Sequence, residues 1–280
     1  MFSNVNGGVT VDEDVFFGVV LMKSLLRTVI AVGLSGLALC AQGKDWTSIR
    51  IGVEGAYPPF SSVAPDGTLV GFDVDIAHAL CKQLGAKCTL VQQDWDGIIP
   101  ALLARKYDAI VASVSITAER KMKVAFSDRY YSTPARFVRK KGSNITIDKA
   151  SLQGKAVGVQ RATTHDNFVT TEFGDGVQIK RYANLDEGYL DAVAGRLDLL
   201  LADSVAIQDA FLATEAGKGW EFVGPGYTDA KYFGEGVGIA MRKTDAELVA
   251  LFNEALATIL ANGAYKAIND KYFDFDVYGK

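Results

Sequence analysis

The sequence predicts a two-lobed α/β fold. Three observations carry this: strand-like alternation gives way repeatedly to helical spacing, the pattern restarts after Ser151, and the chain is long enough for two ordinary cores. Ile49, Ile51 and Val53 alternate with Arg50, Gly52 and Glu54, a strand that runs into the loop GAYPPFSSVAPDGTLVGFD with a hairpin around Thr68 to Gly71. Ile76, Ala77, Leu80, Cys81 and Leu84 recur at three- and four-residue spacing, so 73–84 reads as an amphipathic helix with acidic residues in its first turn. Strand CTLVQQ, a helix over about 96–106, strand YDAIVAS and a helix from about Ala118 follow, the order of strands joined by crossover helices. The second unit repeats it with strand KAVGVQ, helix 164–173, strand VQIKRY, helix 184–194, strand LDLLLA and helix 204–213. A last strand, GVGIAMRK, precedes a long helix over 245–261 and a shorter one through Lys271. No repeat, low-complexity tract or linker separates the halves, so ordinary strands are expected to join them as hinges.

The N-terminus reads as an export address. From Met22, Lys23 and Arg27 form a basic start, and Thr28 to Ala41 is an uncharged, mostly apolar run too short to span a bilayer, which predicts a secretory signal peptide. Ala38 and Cys40 are small residues suited to a cut before Ala41, leaving a mature chain of about 239 residues. The competing reading is lipidation of Cys40, but Leu39 stands before it where a small residue is expected. Residues 1–21 carry Asp12, Glu13 and Asp14 and no basic residue, so Met22 is the expected start and 1–41 comprises an extension plus the signal peptide. An oxidising compartment lets Cys81 and Cys88 pair, and no nearby histidine or third cysteine completes a metal site.

Composition and motifs exclude several functions. With 29 Lys and Arg against 33 Asp and Glu, a net charge of -4 offers no excess positive field, so nucleic acid is not an expected partner. There is no G-x-S-x-G, no P-loop, no H-E-x-x-H and no G-x-G-x-x-G after the first strand, and no cofactor or metal is expected. His78 lies within the first amphipathic helix, and His165, at a strand-to-helix turn, has no identifiable orienting partner for acid–base work.

Ligands of open α/β sheets gather at the carboxyl ends of strands, and four such ends stand out: VEGAY at 53–57, QQDWD at 92–96, ASVSITAER at 112–120 and ADS at 202–204. Thr117 is a candidate N-cap, which puts Arg120 in the first turn of a helix, where a cation opposes the macrodipole at a cost of ~0.3–1 kcal/mol. A guanidinium fork beside exposed backbone N–H groups suits a ligand carboxylate, although a tolerated surface arginine would look the same in sequence. Tyr57 and Trp95 end strands and are either core filling or a pair of rings around a ligand side chain. Glu54 and Asp203 add negative charge at the same rims, and Asp203 before SVAIQDAF also fits an N-cap.

The segments IRIGVEGAYPPF, GFDVDIAHALC, DAIVASVSITAERK, GKAVGVQRATT and KYFDFDVYGK together resemble the periplasmic amino-acid-binding proteins of ABC importers, in particular the lysine/arginine/ornithine-, histidine- and arginine-binding group. The resemblance runs from about Ser48 to Lys280. It implies the type II periplasmic binding protein fold, two lobes, each a mixed sheet flanked by helices, joined by a two-strand hinge, with lobe 1 formed by 45–132 and 236–280 and lobe 2 by 133–235. It implies that Arg120 clamps an α-carboxylate with help from Ser113 and Thr164, and that Asp203 accepts from the α-ammonium with Ser115 as a further oxygen partner. Tyr57 and Trp95 would sandwich the side chain, and Glu54 would receive its distal amino or guanidinium group.

Two departures from the family pattern bear on the ligand: Glu54 is one methylene longer than the usual aspartate, and Ala112 replaces a serine that helps bind the distal nitrogen. Gln160 falls near the end of a ligand side chain, and Arg161 beside it is expected to point outward, since an inward guanidinium would disfavour a cation. The implied protein is a periplasmic monomer, not an enzyme, that captures a basic L-amino acid, arginine or ornithine before lysine or histidine, and delivers it to an inner-membrane ABC permease. The alternative on the same scaffold is a cyclohexadienyl or arogenate dehydratase, which would need a cleft acid to protonate a leaving hydroxyl.

Overall fold

A computed structural model describes residues 1–4, 7 and 44–279. The expected signal peptide, its start at Met22 and Cys40 lie outside the described residues. Asp45–Lys280 forms one compact unit. Its strands, in chain order, are β1 Ser48–Val53, β2 Ala56–Tyr57, β3 Ser61–Val63, β4 Leu69–Val70, β5 Lys87–Gln92, β6 Ala109–Ile110 and β7 Ala125–Tyr131, then β8 Ala135–Lys140, β9 Ala156–Gln160, β10 Gln178–Tyr182, β11 Leu199–Asp203, β12 Trp220–Tyr227 and β13 Val237–Met241.

Two five-stranded mixed sheets result, ordered β5-β1-β6-β13-β7 and β10-β9-β11-β8-β12, with β2-β3-β4 as a small third sheet. In the first, β1 runs parallel to β5 and β6, while β13 is antiparallel to β6 and β7. In the second, β9 runs parallel to β10 and β11, and β8 is antiparallel to β11 and β12. The chain leaves the first sheet after β7 and returns to it from β12 to β13, so two crossings join the lobes.

The pattern of each strand explains its place. Ile49, Ile51 and Val53 of β1 are buried in one cluster with Ile76 and Leu80 of the helix Phe72–Leu84 and with Leu248 and Phe252 of the helix Ala246–Ala261, which packs against it. Cys81 and Cys88 are joined by a disulfide, tying the end of that first helix to β5. Closing so short a loop stabilises by roughly 2.5 kcal/mol on the chain-entropy model. In the second lobe, Phe137, Val157, Val159, Leu199 and Leu201 form a core with Phe168 of the helix Thr164–Phe173.

Three segments differ from the sequence-based expectation. The helix expected over 96–106 is a tight turn at Trp95–Gly97 followed by Ile98–Leu103, ended where Arg105 adopts a φ of 62°. Strand YDAIVAS pairs only at Ala109–Ile110, because the chain turns out of the sheet at Ser113, φ 54°. The helix over 204–213 divides into Ser204–Ile207 and a wider turn at Gln208–Leu212.

Candidate functional site

Every expected ligand-binding residue lies at or just past the carboxyl end of a strand, where the two sheets face each other. Glu54 and Tyr57 follow β1, Trp95 follows β5, and Ser113, Ser115 and Arg120 follow β6. From the second lobe, Gln160 ends β9, Thr164 opens the next helix and Asp203 ends β11. One cavity is lined by Glu54, Tyr57, Trp95, Ser113, Arg120 and Gln160, with Ser115, Thr163, Thr164 and His165. A second carries Asp203 and Thr133, and Tyr57, Ser113, Ser115, Thr164 and His165 line both. Ala112 is the exception among the expected residues: it is buried in the cluster that includes Trp95 and Ile110 and lines neither cavity.

Direct contacts cross from lobe to lobe. Gln160 Nε2 donates to Glu54 Oε1 at 2.6 Å, Trp95 Nε1 donates to the Ala162 carbonyl at 3.3 Å, and Arg161 pairs with Asp96 at the rim. Arg161 therefore extends outward, about half exposed, rather than into the cavities. Ser113 and Ala162, one from each lobe, hold φ values of 54° and 58°, a left-handed conformation that non-glycine residues adopt at a cost and that clusters at functional sites.

Arg120 and Asp203, the residues expected to bind a head group, are held by their own surroundings. Thr117 caps the helix Ala118–Lys123, its hydroxyl accepting from the Arg120 N–H at 3.2 Å, and Arg120 Nη1 donates to the Ser115 carbonyl at 3.2 Å. The guanidinium lies 5.2 Å from the centre of the Trp95 ring, so a cation–π contact fixes its plane. Burial lowers the Arg120 pKa to about 10, which leaves it charged at neutral pH. Asp203 does act as an N-cap, its Oδ1 accepting from Val205 N at 2.8 Å and Ala206 N at 3.3 Å, while Oδ2 accepts from the Thr133 hydroxyl. Both readings of Asp203 are thus compatible: the cap orients a carboxylate that also faces the cavity.

Desolvation dominates the ionisation of the acids. It pushes Glu54 up to about 7 and Asp203 up to about 6, while His165 falls to about 3 and stays neutral. A raised carboxyl pKa favours the folded cleft fully below the ordinary carboxylate range, and that contribution is lost as pH rises through about 7. A cation delivered to Glu54 favours the ionised form, so its binding must release the proton that burial retains. Affinity for a cationic ligand is therefore expected to rise between about pH 5 and pH 7.5, with proton release in calorimetry run in buffers of different ionisation enthalpy. A flat profile would contradict this.

The sequence did not mark Thr133 or Thr163 and offered His165 only as an acid–base group, whereas all three line a cavity. Thr133 lies between β7 and β8, strands not individually visible in the sequence, so nothing marked it as facing Asp203. Among the described residues no group of three or more His, Cys, Asp or Glu side chains is placed to hold a metal ion.

A cleft between two mixed sheets, with a cation and acids drawn from both, defines a solute-binding class of protein. Residues 49–275 match the model of the bacterial extracellular solute-binding proteins, family 3, and the chain belongs to that family. It is 54% identical over 250 residues, 89% of this chain and 96% of the relative, to the L-arginine-binding protein of Pseudomonas aeruginosa. It is 44% identical over 260 residues, covering 92% of this chain and all of the relative, to the lysine/arginine/ornithine-binding periplasmic protein of Escherichia coli. Among solved structures, an ancestral arginine-binding protein bound to arginine superposes with a TM-score of 0.75 at 37% identity over 81% of this chain and 98% of that one. An arginine-specific periplasmic binding protein of Salmonella typhimurium gives 0.74 at 31% identity, over 81% and 99%.

Proposed function

We propose that this protein is the periplasmic substrate-binding component of an ABC importer, capturing a basic L-amino acid, arginine or ornithine ahead of lysine or histidine, and delivering it to an inner-membrane permease. Export by a cleaved signal peptide, action as a monomer and a first lobe formed by 45–132 and 236–280 around a second at 133–235 belong to this reading. It is supported by the names of the relatives, two of them above called periplasmic.

The observation that carries it is the sign of the charges lining the cleft. Arg120 from one lobe and Asp203 from the other suit the two ends of a zwitterionic head group, and Glu54 supplies one more acid in the same cleft. An unpaired charge in such a site costs several kcal/mol, so the best complement is an amino acid whose side chain adds a positive charge. Because the head-group charges come from opposite lobes, a ligand carrying both ends bridges them and adds to the direct contacts between the lobes, and hinge closure is a population shift.

A thermal-shift panel of the twenty amino acids with ornithine and citrulline tests the assignment. Ligand at 100 times its Kd adds ~2.7 kcal/mol of stability. Arginine and ornithine are expected to raise the melting temperature most. A panel in which a neutral or acidic amino acid stabilises and no basic one does would overturn it.

A further inference from the structure

The cleft holds one more acid than the ligand reading uses. Gly71, at φ 129°, turns the chain into the helix Phe72–Leu84, and a Cβ there would lie 2.4 Å from the Phe60 carbonyl oxygen, so the turn admits only glycine. The turn delivers Asp73 inward, fully buried, behind the cavity wall. Asp73 Oδ2 accepts from Ser113 Oγ at 2.9 Å and Oδ1 from Tyr130 Oη at 2.8 Å, while Ser113 N donates to the same Tyr130 oxygen at 3.3 Å. Ser113 lines both cavities, so Asp73 stands one hydrogen bond from whatever occupies them.

All of these partners are neutral donors. Among the described residues no lysine or arginine forms an ion pair with Asp73, and the charges that reach it from the site, Asp203 and Glu54, have its own sign. A buried carboxylate without a counter-ion is costly, and an amide oxygen would serve hydrogen-bond acceptance more cheaply. Burial accordingly raises the Asp73 pKa to about 7. What an amide cannot supply is negative potential. Among the described residues lining the two cavities, Arg120 is the one cation beside the acids Glu54 and Asp203, since His165 is neutral, and Asp73 stands behind the wall as a third acid. A net-neutral amino acid leaves that imbalance untouched, whereas a cationic one reduces it, and in a low-dielectric cleft the effect reaches beyond direct contact.

We propose that Asp73 is a specificity-determining residue that never touches the ligand: its charge, acting through the Ser113 wall, favours a net-cationic amino acid over a neutral one of the same shape. This rests on the basic-ligand reading above, and the test separates the two. Arginine and citrulline differ by little more than the side-chain charge. In calorimetry, Asp73→Asn is expected to weaken arginine about tenfold or more and to change citrulline less than about threefold, narrowing their ratio. Tyr130→Phe, which removes a hydrogen bond from the same cluster and no charge, is expected to leave the ratio unchanged.

A carboxyl-carbon NMR titration of Asp73 in the unaltered protein supplies a readout independent of how the variants fold. Its midpoint should move to lower pH with saturating arginine and not with citrulline. Equal losses for both ligands in Asp73→Asn, an unchanged ratio, or an Asp73 titration indifferent to ligand charge would each overturn the proposal. If the unaltered protein fails to prefer arginine to citrulline, it is the basic-ligand reading that falls.

Discussion

Arg120→Ala is expected to abolish binding of every amino acid, with calorimetric affinity falling at least a thousandfold irrespective of side chain. The guanidinium is partly buried, held by the Ser115 carbonyl and the Trp95 ring, and its fork suits an α-carboxylate that all amino acids share. Removing it strands a ligand carboxylate in a desolvated cleft, and truncating one partner of such a pair typically costs 3–5 kcal/mol, more than a hundredfold from the lost pairing alone. Loss of the cation–π lid over Trp95 adds to this. The melting temperature without ligand should change little, because Arg120 holds only a neighbouring carbonyl and a ring. Retention of micromolar binding by any amino acid would exclude Arg120 as the clamp.

Glu54→Gln is expected to act selectively. It keeps the shape of the side chain and a partner for Gln160 while deleting the charge that would meet a distal cation. Arginine and ornithine should weaken by about a hundredfold, and neutral amino acids by less than about threefold. The pH dependence of arginine binding should flatten as well, since the group pushed up to about 7 is gone. Competition measurements of arginine against glutamine in both forms of the protein would check it. Equal losses for the two ligands would mean that Glu54 shapes the cavity without reading charge.

Much of this was legible in the sequence, for a physical reason. Alternating runs such as Ile49-Ile51-Val53 and the three-and-four spacing of Ile76, Leu80 and Leu84 follow from having one face to bury, so strands and helices near the amino end of each lobe declare themselves. Cavity-lining groups sit at strand ends, which is why Glu54, Trp95, Arg120 and Asp203 stand out by position. The strands β7, β8 and β12 were not individually legible, because segments such as AFSDRYYSTPARFVRK mix charged and aromatic residues that face the cleft, the hinge and solvent in turn. Thr133 went unseen with them. Ala112 follows from the family pattern, but its side chain is buried in the cluster that includes Trp95, and position along the chain does not reveal which way a residue points. Asp73 looked like an ordinary first-turn acid, since only tertiary structure shows that Gly71 aims it inward.

The contacts of Gln160 with Glu54, Trp95 with Ala162 and Arg161 with Asp96 connect the lobes protein to protein. Such bonds contribute the same free energy to closure whatever cargo is carried, so any measured affinity is the sum of a ligand-specific part and a common offset fixed by the rim. Evolution can move that offset, and with it the ligand concentration at which the cleft fills, without disturbing the order in which amino acids are preferred.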